Sequence, residues 1–81
     1  MYLPEMKPVL LQAMKYPLQN IRTFKGYAGD YILKLTFKDK ASLLTIREYV
    51  RGTGAEAVVK IDKQLELLCI YKLPDDIYNL K

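Results

Sequence analysis

The 81-residue chain contains no histidine, so the side chain that most often moves protons near neutral pH is missing. Its one serine, Ser42, falls early in an expected helix, where a local hydrogen bond accounts for it and no base accompanies it. Its one cysteine, Cys69, falls on an apolar strand face with no cationic or helix-terminal setting to lower its pKa, so it reads as a buried structural thiol. Zinc sites need clustered Cys and His, which this sequence cannot supply. Asp75 and Asp76 are carboxylates that a hard cation would accept, but acids in a helix's first turn need no metal. These residues lead to the expectation of a non-enzymatic protein with no cofactor and no metal.

Two short patterns resemble ligand-binding motifs and fail on context. Gly52-Thr53-Gly54 follows an expected helix, whereas a phosphate-cradling loop leads into one. Lys25-Gly26-Tyr27-Ala28 opens like an RNA-recognition signature. Gly29 and Asp30 then stand where Phe and Val belong, and the segment reads as a turn.

The elements that would position any site follow from periodicity. Met6, Val9, Leu10, Ala13 and Met14 repeat at helical spacing between Pro4 or Pro8 and Pro17, which predicts a helix near residues 5–15. A short β-rich run at 20–25, the glycines at 26 and 29, and an alternating run from Tyr31 to Lys38 predict a hairpin. Asp39 is placed to cap a helix over 40–51, and Gly52 or Gly54 to end it. Alternation predicts strands at 56–62 and 65–71, and Pro74-Asp75-Asp76 predicts the start of a final helix. The order is α-β-β-α-β-β-α: a single small α+β domain over 1–81, with a four-stranded, largely antiparallel sheet and helices packed on it. The strand-helix-strand core is similar to the ferredoxin-like kind shared by many small regulatory and RNA-binding domains, a likeness of fold that carries little about function.

Composition bounds the rest. A hydrophobic content of 51% and 27% charged residues mark a globular chain. A lone cysteine rules out an internal disulfide, no run approaches the roughly 18 apolar residues of a membrane span, and the first residues lack the pattern of a signal peptide. The expectation is a cytoplasmic protein without membrane partners. The net charge of +4 is spread among acids, as on an ordinary solvated surface.

The pleat sorts the strand residues into two sets. Tyr31, Leu33, Leu35, Phe37, Ala57, Val59, Ile61, Leu65, Leu67, Cys69 and Tyr71 make one nearly apolar face, the expected core. Ile32, Lys34, Thr36, Lys38, Val58, Lys60, Glu66, Leu68, Ile70 and Lys72 make the other, where aliphatics and lysines mix. The first or last helix, a second copy of the chain, or a ligand would cover such a face. The leading expectation is a protein-interaction or regulatory module that homodimerises by burying Ile32, Val58, Leu68 and Ile70 on this face, or by a sheet edge. The alternative is a nucleic-acid-binding protein with Lys34, Lys38, Lys60 and Lys72 on phosphates, aided by Arg47 and Arg51 of the central helix. Aromatic platforms for bases are scarce in this set, with only Phe24 able to add a ring.

Overall fold

A computed structural model describes residues 3–26 and 29–72. It contains α1 (Met6–Ala13), β1 (Leu18–Lys25), β2 (Tyr31–Phe37), α2 (Lys40–Gly52), β3 (Glu56–Lys60) and β4 (Leu65–Tyr71). The fold is α+β, with two helices and a four-stranded antiparallel sheet in the order β1-β2-β4-β3. The order expected of a ferredoxin-like domain is not established by this arrangement. β2 and β3 run parallel, separated by β4, which pairs antiparallel with both. The helix expected from Pro74 onward lies outside the described residues.

Each element forms for a local reason. The Asp39 carboxylate accepts the Ser42 backbone N–H at 2.7 Å and the Ser42 hydroxyl at 3.0 Å, which satisfies an otherwise unpaired donor at the start of α2. This contact is also the role of the chain's one serine. At the far end, Gly54 takes φ +89°, a left-handed conformation that turns the chain into β3. The β1–β2 reversal closes through the Gly26 N–H to the Asp30 carbonyl, with Gly29 at φ +84°.

Both helices lie on one side of the sheet. α2 lies across β2, β4 and β3, and α1 packs beside α2. Met6, Val9 and Ala13 of α1 and Leu43, Ile46 and Val50 of α2 meet Leu33, Leu35, Phe37, Leu67, Cys69 and Tyr71 in one core. The expected apolar face is therefore the core face, with one correction. Ile61 falls beyond the end of β3 and is 38% exposed, because the strand stops at Lys60 and the chain bends toward β4. β1, short and ambiguous in sequence, is a full strand of eight residues with a bulge between Leu18 and Asn20.

Asp39→Ala is expected to cost about 1 kcal/mol through loss of the cap. For a domain of this size that lowers Tm by about 4–8 °C, readable by thermal circular dichroism.

Candidate functional site

The register lays out the sheet face turned away from the helices as three rows. Phe24, Ile32, Ile70 and Glu56 form one row across the strands, and Arg22, Lys34, Leu68 and Val58 form the next. Asn20, Thr36, Glu66 and Lys60 form the third. The four aliphatics expected to share this face do so: Ile32 pairs with Ile70 and Val58 with Leu68. Among the described residues no helix covers them. Val58 is 45% exposed, and Phe24, at 38%, extends the apolar patch onto β1. Sequence reasoning left Phe24 outside the interface set because β1 lacked clean alternation. The cross-strand position opposite Ile32 is what brings its ring in.

The cations divide differently from the expected set. Lys34 sits at the centre of the face, 3.0 Å from Glu66, whose side chain keeps only 9% exposure. An ion pair this enclosed holds both partners, since removing one would leave the other charge uncompensated. Lys72 meets Glu56 at 3.5 Å in the open. Lys60 and Lys38 are exposed, and Arg22, absent from the expected set, joins Lys34 in the middle row. Arg47 and Arg51 are on the other side of the molecule, on α2, where both contact Glu48, at 3.1 and 3.4 Å. Hydrogen bonding from Arg47 leads the effects that hold the Glu48 carboxyl below its usual pKa. Arg47 and Arg51, expected to aid the sheet lysines, thus lie on the side opposite Lys34 and Lys60.

The groups that could do chemistry are enclosed or scattered. Cys69 is fully buried, and burial pushes its thiol up to about 12, away from the thiolate needed for reaction. Tyr71 reaches into the core with its hydroxyl unpaired, and burial raises its phenol well above the ordinary value. A hollow of about 270 Å³ beside Tyr71 is lined by Glu5, Thr53, Gly54, Glu56 and Lys72 among others. It offers no nucleophile paired with a base. Among the described residues no group of three or more His, Cys, Asp or Glu could hold a metal, and no helix is long and apolar enough to cross a membrane.

Set against known protein families, curated proteins and solved structures, the chain shows no significant match to any of them.

The buried acids set the alkaline behaviour. The unfolded chain ionises Cys69 near its ordinary value of 9.0, whereas the folded chain holds the proton to about 12. Above pH 9 the unfolded state therefore binds fewer protons, so stability is fully present below that pH and is lost as pH rises toward 12. Tyr71 acts in the same direction from its ordinary 10.0 upward. Urea midpoints are expected to fall from about pH 9 to about pH 11, with a shallower slope in Cys69→Ala than in the parent chain.

Proposed function

We propose that this chain is a non-enzymatic protein-interaction or regulatory module that pairs with a second copy of itself through the open face of its sheet. The observation that carries this reading is the contiguous apolar patch of Phe24, Ile32, Val58, Leu68 and Ile70, uncovered by any described helix. Apolar patches of this extent mark interaction sites on small proteins.

The rows of this face suit a second copy as the occupant. On this face β1 and β2 carry Arg22 and Lys34, while β3 and β4 carry Glu56, Glu66 and Lys60. A two-fold axis along the strands sets β1–β2 of one copy over β4–β3 of the other. Ile32 then meets Ile70, and the stems of Arg22 and Lys34 lie over Val58 and Leu68. Such packing is the aligned sheet sandwich, with side chains interdigitating between layers about 10 Å apart.

Size sets the strength. Strands about 4.8 Å apart and about 3.4 Å per residue long give the sheet a face of roughly 400 Å². Two such faces bury about 800 Å² together, less than a standard interface, so the dimer is weak, reversible and dissociates on dilution.

Sedimentation equilibrium tests the reading. The parent chain is expected to self-associate reversibly, with little change between low and high salt. Leu68→Glu, and separately Val58→Glu on the more exposed strand, are each expected to weaken association roughly tenfold or more. A parent chain that stays monomeric at millimolar concentration, or variants that associate as strongly as the parent, would overturn it. Mass gained only at low salt with an oligonucleotide would point instead to a nucleic-acid partner.

A further inference from the structure

The two edges of the sheet are protected unequally. β3, at one edge, is short, and α2 lies on it. β1, at the other, has eight residues, and the helix layer stops short of it. Ile21, on the helix side of β1, is 39% exposed, and Phe24 on the other side is 38% exposed. An edge strand that bares apolar side chains on both faces, with an unpaired row of backbone groups between them, is a template for a further strand.

The backbone pattern fixes which groups are free. Gly26 donates inward, to the Asp30 carbonyl. Alternation along an antiparallel pair then turns Phe24 and Arg22 inward toward β2, and leaves the N–H and C=O of Thr23 and Lys25 and the C=O of Ile21 facing outward, while the Ile21 N–H donates to the Asn20 side-chain oxygen at 3.0 Å.

The side chains select what pairs there. Leu18–Lys25 contains Arg22 and Lys25 and no carboxylate. Neither cation has an ion-pair partner among the described residues, and Lys25 reaches over the Tyr31 ring at 6.0 Å. Pairing β1 with β1 of another copy would gather four cations and no acid in one strand pair, which disfavours self-association at this edge. An acidic strand meets no such repulsion.

We propose that the free edge of β1 accepts an extended acidic segment of a partner protein as a fifth strand. Its carboxylates would face Arg22 and Lys25, and its apolar side chains would face Ile21 and Phe24. Main-chain hydrogen bonds supply the affinity and the two cations the selectivity. This contact uses the edge of the sheet, so it stands or falls independently of pairing through the open face.

The probe is a capped peptide with the core Glu-Val-Thr-Glu-Val, which in antiparallel register sets its glutamates opposite Lys25 and Arg22. It is titrated into the full chain and followed by amide NMR and hydrogen exchange. The amides of Thr23 and Lys25 should exchange fast in the free protein and slow when the peptide is added. A peptide with lysines in place of both glutamates should bind roughly tenfold more weakly. Thr23→Pro removes one outward donor without changing charge, a substitution an edge strand tolerates, and should abolish binding. Two results would overturn the proposal. One is equal binding of the acidic peptide by Thr23→Pro with its native spectrum retained, which would mark a contact of charge alone. The other is protection of the Thr23 and Lys25 amides in the free monomer, which would mean that the edge is already occupied.

Discussion

The pleat imposes a choice on every strand residue, and in this chain the choice is lopsided. Leu33, Leu35, Phe37, Leu67 and Cys69 are fully or almost fully buried on one side, and both helices are drawn to that side because the largest apolar area is there. No described helix is on the other side, although it still carries Ile32, Val58, Leu68, Ile70 and Phe24. A domain of this size buries only roughly 60% of its unfolded surface, so a second apolar face is a large share of what it leaves in water. The two-layer architecture and the exposed patch therefore share one cause.

The polar part of that face is arranged with the same economy. Glu66 is enclosed on the central strand β4 and is held by Lys34 from the neighbouring β2. The pair anchors one end of the face as charged and leaves the other, around Ile32, Ile70 and Phe24, as apolar. An isolated enclosed carboxylate would be costly, and a lysine across the strand pair offsets that cost while keeping its stem against apolar neighbours. The consequence for function is that Lys34 is committed within the domain. Arg22 and Lys25, which have no ion-pair partner among the described residues, are on the edge strand, where polar recognition meets an open backbone.

Much of this was legible in the sequence, and the limits have physical reasons. Strict alternation from Tyr31 to Phe37 and from Leu65 to Tyr71 identified the two central strands, because residues buried on one side alone must repeat with period two. Asp39 announced α2 through its capping chemistry. β1 was only faintly visible, since an edge strand outside the helix layer has no face that must be apolar, and Ile21, Thr23 and Lys25 share one side. For that reason Arg22 was missed as a member of the open face, and Phe24 was named only as a ring that could join it. The strand order was hidden because hydrophobic pattern fixes faces and not neighbours. Arg47 and Arg51 were grouped with the sheet lysines by charge alone, although the helix that carries them was expected on the core face, where α2 packs.

Methyl NMR over a dilution series tests most directly whether the open face is where this domain meets its own copy. The account predicts concentration-dependent shifts at the methyl groups of Ile32, Val58, Leu68 and Ile70, with those of Val9, Leu43 and Ile46 in the core unchanged. Shifts confined to α1 or α2, or spectra that stay fixed from micromolar to millimolar protein, would contradict it.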